Sequence, residues 1–254
     1  CGAIHTPALL HRSGYRSSSK MVGGNLSLHP NGKLVAIFDQ DVRGWEGVHQ
    51  AFQVREFQDD GFLFAAVNVP PSIVAMGMHQ YGDELGEIMQ DYSKMLIAGM
   101  LVEDTTLGRV RVDPLGNPMT FYQLNKIDTE KLIRGSALLC ELLFEAGARK
   151  IYVPFGKIGV LRKPDDIPQL FAETVERNTL EVFTVHMMGT ARMGNNENHA
   201  VTNGYGHVFG TQQLVVCDAS IFPSPIGVNP AETIYTLSTR NCAHLLENHH
   251  RYLR

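Results

Sequence analysis

The sequence predicts a protein of mixed α/β plus α+β class, in which α/β-type segments at the two ends enclose an antiparallel sheet. Segments rich in β-branched and aromatic residues fill much of the middle of the chain. A buried-strand pattern followed by a helical pattern lies near the C-terminus. With 254 residues, 44% of them hydrophobic, the chain is long enough to bury a large core in one or two domains.

The first element is predicted to be a short helix over residues 5–13. Thr6 and Pro7 would supply an N-cap and a first-turn proline, and Gly14 would end the helix. The opening residues, "CGAIHTPALLHRSG", contain neither a methionine start nor a signal-peptide pattern. We therefore expect the natural beginning of the protein to be missing from this sequence.

Residues 33–67 carry the pattern of β-strands separated by turns. Their apolar residues are mainly β-branched or aromatic, and Gly and Asp residues divide the segments. Antiparallel pairing is the simplest expectation for strands so close in sequence. The predicted strand segments are "KLVAIF", "HQAFQVREF" and "GFLFAAV".

After a Pro70-Pro71 break, the sequence predicts a helix around residues 83–93 and then more strands. Proline and glycine in "PLGNP" predict a hairpin turn between the last two of these strands. The middle of the chain is therefore expected to be mainly sheet. The strand segments here are "MLIAGMLVED", "GRVRVD" and "MTFYQL".

The clearest helix is predicted over residues 128–150. Its leucines fall on one stripe, Asp128 can cap its start and Gly147 can end it. A second amphipathic stretch covers 164–178. Near the C-terminus, "QLVVCDAS" is typical of a buried parallel strand, and "NPAETIYTLSTRNCAHLLEN" predicts the last helix.

Composition and charge exclude several classes of protein. The net charge of −4 gives no basic surface for nucleic acid. The longest apolar run, "GFLFAAVNVPPSIVAMGM", is broken by Pro and Asn before it reaches the length of a membrane span. The four cysteines form no C-x-x-C pair, so we expect neither a zinc site nor a disulfide framework, but reduced, mostly buried thiols that favour a reducing, cytoplasmic compartment.

Two other kinds of site are disfavoured by the sequence. His244, His249 and His250 lie on a helix tail without a matching set of carboxylates, so we expect surface histidines and no metal site. Ser13 and Ser220 lack the strand-turn-helix context of a nucleophile elbow, which argues against a hydrolase.

Two segments contain candidate functional residues. His186 in "VFTVHMMGTARMG" is on its own weak evidence, because most histidines are structural or lie on the surface. Asp218 follows the predicted parallel strand, where ligands bind in open sheets, although an aspartate that opens a turn fits equally. Asn229 precedes Pro230 and Glu232 as in a near capping box, and the same helix N-terminus would suit an anion or an electron-rich ring.

Taken together, these segments resemble the C-terminal half of a glucose–methanol–choline (GMC) oxidoreductase, a flavoenzyme family. The resemblance rests on "GAIHTPALLHRSG", "HMMGTARMG" and "VTNGYGHVFGTQQLVVCDASIFPSPIGVNPAETI", in that order. Within the family, "GGNLSLHP" and "WEGVHQ" are similar to the long-chain fatty alcohol oxidase branch. The resemblance implies that residues 1–30 and 186–254 are the remnant of a Rossmann-like FAD-binding domain, into which a substrate-binding domain, 31–185, is inserted.

The resemblance also implies a reaction and its residues. FAD would accept a hydride at N5 from a primary alcohol, which would become an aldehyde. The similarity to the long-chain fatty alcohol oxidase branch implies an alcohol with a long apolar chain. By motif match, His186 would accept the hydroxyl proton, for which an imidazole with a pKa near 6.5 is suited. Asn229 would hydrogen-bond the same oxygen without adding charge.

Six further positions match cofactor contacts of the family. Pro230 and Thr233 match positions beside the flavin pyrimidine ring, where a helix N-terminus would stabilise negative charge. Together with Asn229, the implied cofactor-binding residues are Gly2, Ala3, Asp218, Ala219, Pro230 and Thr233.

The sequence also departs from the family pattern. No G-x-G-x-x-G follows a strand near the start, so the main ADP-binding loop is absent and this chain should not hold FAD tightly alone. Tyr15 and Arg16 replace the usual continuation of the first motif, and Asn203 stands where aspartate is common. The open alternative is a non-catalytic fragment or assembly subunit that needs a separate FAD-binding chain.

Overall fold

The computed structural model describes residues 1–48, 50–172 and 179–251. Its helices of five residues or more with α geometry are α1 (Gly2–Arg12), α2 (Pro71–Met76), α3 (Gly82–Gln90), α4 (Lys126–Glu145) and α5 (Ala231–Glu247). Its strands are β1 (Ser27–Leu28), β2 (Asn31–Ile37), β3 (Gln53–Val54), β4 (Phe62–Val67), β5 (Met95–Val102), β6 (Arg109–Val112), β7 (Pro118–Phe121), β8 (Lys150–Tyr152), β9 (Val160–Leu161) and β10 (Met187–Met188).

The described residues divide into two compact units. Unit 1 comprises Cys1–His29, Asp104–Asn125 and Val185–Arg254, and unit 2 comprises Pro30–Glu103 and Lys126–Thr184. The expected central domain, 31–185, was continuous, whereas the segment 104–125 groups with the terminal segments.

A pair of backbone hydrogen bonds explains this grouping. Gly108 N donates to Leu26 O at 2.7 Å, and Leu26 N donates to Gly108 O at 3.0 Å. Val110 N then donates to Gly23 O at 2.6 Å. The start of the β6–β7 hairpin is therefore hydrogen-bonded to residues near the N-terminus, and the chain crosses between the units four times instead of twice.

Unit 2 is built on a six-stranded sheet in the order β3-β4-β5-β2-β8-β9. Every neighbouring pair is antiparallel, so the prediction of antiparallel sheet is confirmed. The long central pair, β2 and β5, runs in register from Asn31 opposite Leu101 to Ile37 opposite Met95. Alternate side chains of these strands, such as Val35 and Ile97, bury one face of the sheet in a cluster with residues of α2 and α3.

Helix α4 lies in unit 2, and its predicted end is confirmed. Gly147 has φ +97°, Gly147 N donates to Phe144 O at 2.9 Å, and Ala148 N donates to Leu143 O at 3.0 Å. These two bonds form a Schellman motif, which only a residue that tolerates the left-handed region can make without strain. The start is earlier than predicted, at Lys126 instead of Asp128, and Asp128 is buried in the first turn.

Unit 1 contains short elements around a second core. Strands β1 and β10 pair over two residues, β6 and β7 form the predicted hairpin, and a 3-10 helix spans Ala219–Ile221. The core cluster includes Met188, Ala191, Val216 and Phe222, all less than a tenth exposed. Because its ladders are so short, unit 1 depends on contacts between segments that are distant in sequence.

Helix α1 begins at Gly2, not at the predicted residue 5, so Pro7 lies inside the helix instead of at its start. Proline has no N–H to donate to the carbonyl four residues earlier, which is that of Ala3. The Thr190 hydroxyl donates to Ala3 O at 2.6 Å and supplies the missing donor. A partner from a segment far along the sequence thus makes the proline tolerable, and no local pattern could have predicted it.

The prediction that "QLVVCDAS" forms a buried parallel strand is wrong. In the described part of the chain this segment makes an isolated antiparallel bridge between Val215 and His207. Val216 is buried, but Leu214 is 39% exposed. A buried parallel strand needs partners on both sides, and one bridge does not fix the segment as a strand.

Several smaller expectations also need correction. The segment "HQAFQVREF" forms a strand only at Gln53–Val54, and its His49 lies outside the described residues. The amphipathic stretch at 164–178 is a 3-10 helix over Pro164–Phe171, and 173–178 lie outside the described residues. All four cysteines are free, but only Cys140 is buried, so the expectation of mostly buried thiols is wrong.

Candidate active site

A pair of histidines stands out in unit 1. Strands β1 and β10 pair Leu28 with Met187, and the same register places His29 opposite His186. His29 N donates to His186 O at 3.3 Å, and the two imidazole Nδ1 atoms lie 3.4 Å apart. The rings meet edge to face, with centroids 5.3 Å apart at 77°. The candidate base therefore has a second imidazole as its direct neighbour.

The two imidazoles differ in their environment. His29 is fully buried, whereas His186 is partly exposed. Burial, and then the neighbouring His186, lower the pKa of His29 from 6.5 to about 4. At neutral pH His29 is therefore an uncharged imidazole.

The sequence did not assign a role to His29. It lies in "GGNLSLHP", a motif that supported the resemblance but to which no chemistry was attached. The pairing joins residues 157 positions apart through strands of only two residues. Such strands carry no periodic signal, so the contact is visible only in the fold.

The backbone that follows His186 is held from several sides. Gly189 has φ +85°, and a side chain there would collide with the backbone carbonyl oxygen of Asn25. Gly189 N donates to Ala219 O at 3.1 Å, and Met188 is fully buried in the core of unit 1. The backbone that carries His186 is thus fixed. A group that reacts with a substrate in one geometry requires such a backbone.

Gly2 and Asp218, two of the predicted cofactor contacts, lie side by side. Asp218 Oδ2 accepts hydrogen bonds from Gly2 N at 3.0 Å and Thr6 Oγ1 at 2.6 Å, and its Oδ1 accepts from Ser220 N at 2.8 Å. The backbone nitrogen of Cys1 also lies 3.3 Å from Oδ2. Asp218 therefore caps both the start of α1 and the 3-10 helix that contains Ala219.

The ionisation of Asp218 follows from these donors. Burial alone would raise the pKa of the carboxyl group, but hydrogen bonds from Ser220 and Thr6 outweigh burial and lower it below its ordinary value. Asp218 thus opens a turn, as the structural interpretation predicts, and its role as a cofactor contact stays a prediction. Gly2 has φ +75°, a backbone conformation that glycine adopts without strain.

Asn229, Pro230 and Thr233 lie at the start of α5. The helix begins at Ala231, one residue later than the near capping box predicted, with the buried Pro230 at the N-cap position. Ile234 N donates to Pro230 O at 2.9 Å, so the N–H groups of the first turn point forward from the helix. The N-terminus of this 17-residue helix favours an anion or an electron-rich ring.

The two candidate catalytic residues are anchored to the same core. Met188, two residues after His186, belongs to the buried cluster of unit 1, and Ile226 and Ile234, which flank Asn229, pack against that cluster. Asn229 and His186 are both partly exposed. One hydrophobic core thus holds the segments that carry both side chains.

The C-terminal histidines have other roles in the structure. The His244 ring stacks on Tyr205 with centroids 3.8 Å apart, and His249 Nδ1 lies 2.9 Å from Leu246 O. Among the described residues, no group of three or more His, Cys, Asp or Glu side chains is arranged to hold a metal ion. No helix in this part of the chain is long and apolar enough to cross a membrane.

Comparison with known proteins identifies relatives over nearly the whole chain. Residues 104–238 match the GMC oxidoreductase family. An uncharacterized GMC-type oxidoreductase from Sinorhizobium fredii is 29% identical over 94% of this chain and 47% of its own length. A long-chain-alcohol oxidase from Arabidopsis thaliana is 27% identical over 94% of this chain and 34% of its own length.

The fold is also similar to solved structures. The crystal structure of pyridoxine 4-oxidase from Mesorbium loti superposes with a TM-score of 0.65 and 18% identity, covering 98% of this chain and 50% of that one. The chain therefore spans half or less of the length of these relatives.

Proposed function

Since the chain belongs to the GMC oxidoreductase family, we propose that it forms the substrate-side portion of an FAD-dependent enzyme that oxidises a primary alcohol to an aldehyde. Unit 1 would be the remnant of the Rossmann-like flavin-binding domain, and unit 2 the substrate-binding domain. The observation that carries the proposal is His186, a partly exposed imidazole on a fixed backbone, held against the buried His29.

In this proposal His186 accepts the proton of the alcohol hydroxyl group. A neutral imidazole suits this role, since its ordinary pKa near 6.5 leaves it mostly unprotonated at neutral pH. The carboxamide of Asn229 donates a hydrogen bond to the alcohol oxygen and orients it without adding a charge. When bound, FAD supplies the acceptor for the hydride that leaves the alcohol carbon.

The residues of unit 1 fit such a cofactor. The N-terminus of α5, with Pro230 and Thr233, offers backbone N–H groups and a positive dipole end to an electron-rich ring. Gly2 has no side chain, which allows a ligand to approach the backbone there. Asp218, which already accepts several hydrogen bonds, would act mainly by holding Gly2 and Ala219 in place.

The substrate is proposed to be a primary alcohol with a long apolar chain. This rests on the similarity to a long-chain-alcohol oxidase, which extends over 94% of this chain. It also rests on "GGNLSLHP" and "WEGVHQ", the motifs that resemble that branch. The proposal predicts a preference that increases with alkyl length, because each buried methylene adds to binding.

The test measures bound flavin and its reduction. The protein is purified with FAD, first by itself and then with the nucleotide-binding portion of a GMC enzyme supplied as a second polypeptide. Retained flavin that is bleached by primary alcohols without oxygen would support the proposal. Flavin that stays oxidised with every alcohol from short to long would overturn it.

The same experiment addresses the alternative of a non-catalytic partner. That alternative predicts a stable complex with the flavin-carrying chain, in which His186→Ala leaves the rate of flavin reduction unchanged. The enzyme proposed here predicts a large loss of rate on the same substitution.

A further inference from the structure

The contact between His29 and His186 restricts where protons can lie. A hydrogen bond between two imidazole nitrogens needs one donor and one acceptor. The two Nδ1 atoms lie 3.4 Å apart, so one of them carries the proton of this bond and the other accepts it. If His29 donates, His186 carries its proton on Nε2 and has no lone pair there. If His186 donates, its lone pair is on Nε2, and this is the tautomer that can accept a proton from a substrate.

Protonation of His186 leaves one possible direction for the hydrogen bond between the two rings. An imidazolium carries protons on both nitrogens, so His29 can then only be the acceptor, with its own proton on Nε2. The burial of His29 disfavours a charge on that ring, so the additional proton stays on His186 and does not pass to its neighbour.

The described residues around His29 do not select between its two tautomers. His29 Nε2 is buried and has no hydrogen-bond partner among them, so no protein group forces the proton of His29 onto Nδ1. The backbone bond from His29 N to His186 O keeps the rings opposite each other in either tautomer. The position of the His29 proton can therefore follow the needs of His186.

We propose that His29 is a positioning residue whose Nδ1 accepts the Nδ1 proton of His186, so that His186 presents an Nε2 lone pair and is stabilised when it becomes protonated. The relevance of this tautomer to alcohol oxidation rests on the function proposed above. The tautomer itself is a property of this chain and can be measured without flavin or substrate.

The direct test is NMR of the full chain with ¹⁵N-labelled histidine. Long-range ¹H–¹⁵N spectra at neutral pH distinguish protonated from unprotonated ring nitrogens, and His186→Gln assigns the signals. We expect His186 to be protonated at Nδ1 and His29 at Nε2. A wild-type spectrum in which His186 is protonated at Nε2 would overturn the proposal, whatever any variant does.

Two variants of His29 distinguish the effect of its hydrogen-bond acceptor from the effect of the volume of its side chain. His29→Asn keeps an oxygen near the position of Nδ1 and should preserve the Nδ1–H tautomer, whereas His29→Phe fills the space without an acceptor. In His29→Phe we expect a shift toward the Nε2–H tautomer and a His186 titration midpoint lower by about one pH unit. An unchanged tautomer and midpoint in a folded His29→Phe protein would contradict the proposal.

Failure of this inference differs from failure of the proposed function. If alcohol oxidation is absent but His186 shows the expected tautomer, the pair has been described correctly and the function has not. If alcohols reduce the flavin but His29→Phe leaves tautomer and rate unchanged, the function stands and His29 has no positioning role.

Discussion

Helix α4 in unit 2 and helix α5 in unit 1 are similar in length but differ in what they bury. Nine of the 20 residues of α4 are buried, whereas Asn241 alone is buried among the 17 of α5. Tyr235 and Leu246 of α5 are 70% and 74% exposed. Helix α4 in unit 2 is thus packed along much of its length, whereas α5 in unit 1 leaves large apolar side chains such as Tyr235 and Leu246 exposed.

The two units also fix their backbones differently. Unit 2 has continuous ladders, such as the seven residue pairs of β2 with β5. Unit 1 depends on single contacts between distant segments, such as the Thr190 hydroxyl with Ala3 O. Its candidate site sits where side chains and turns determine position, as is common for functional residues held by a stable scaffold. Substitutions in the two units should therefore differ in predictable ways.

The largest difference in effect is expected between alanine substitutions of two histidines, one in each unit. In flavin-loaded protein, His186→Ala should lower kcat about 10²- to 10⁴-fold, because the alcohol proton loses its acceptor. The control is His79→Ala in unit 2, where the partly exposed His79 has its Nδ1 3.3 Å from Glu181 Oε1. This variant should keep kcat within about threefold. Stopped-flow reduction of the flavin by an alcohol measures both, and equal losses would remove the special status of His186.

This contrast explains how much the sequence could predict. The long strands of unit 2, and helix α4 with its C-terminal end, followed from periodicity and from Gly147, because those signals are local. His186 and Asn229 were predicted by motif match, and their roles stay predictions. His29 was missed, and "QLVVCDAS" was misassigned, because both depend on pairing with distant segments that no local pattern encodes.

The second prediction compares glycines with similar backbone angles. Gly189 in unit 1 has φ +85°, and Gly61 in unit 2 has φ +83°. A methyl group at 189 would meet the rigid carbonyl of Asn25, whereas at 61 it would meet the flexible end of Lys131. We expect Gly189→Ala to lower the free energy of unfolding by about 4 kcal/mol and Gly61→Ala by about 1 kcal/mol.

Urea unfolding followed by circular dichroism measures both glycine variants. If Gly61→Ala were as damaging as Gly189→Ala, backbone strain alone would explain the effect. The close contact that holds the segment after His186 would then have no special importance.

The third prediction concerns buried hydroxyl groups. Thr190→Val removes the donor to Ala3 O at the position where Pro7 supplies none, and should cost about 2 kcal/mol through an unsatisfied buried carbonyl. Ser136 in α4 is equally buried, but among the described residues its hydroxyl donates to the sulfur of Met100, a weak acceptor, at 3.6 Å. Ser136→Ala should cost less than about 1 kcal/mol.

The hydroxyl comparison is checked by thermal unfolding of the two variants beside the wild type. Equal shifts in Tm would mean that the proline in α1 does not need its distant partner. The helix would then tolerate Pro7 by itself.

The last prediction is a dependence of stability on pH that differs between the units. The pKa of His29 is lowered to about 4 by burial and by His186, so between pH 6.5 and 4 the unfolded chain binds more protons than the folded one. Stability should therefore fall as pH falls, by about 2 kcal/mol between pH 7 and 5.

In unit 2, burial lowers the pKa of Lys33 from 10.5 to about 8, and its effect lies in a different range. Here too the folded chain binds fewer protons, so stability should rise as pH increases from 8 to 10.5. In a plot of the free energy of unfolding against pH, His29→Asn should flatten the acid limb, below pH 7, and leave the alkaline limb, above pH 8, unchanged. Lys33→Met should flatten the alkaline limb and leave the acid limb unchanged. If His29→Asn leaves the acid limb unchanged, then His29 is not the buried neutral imidazole on which the positioning of His186 depends.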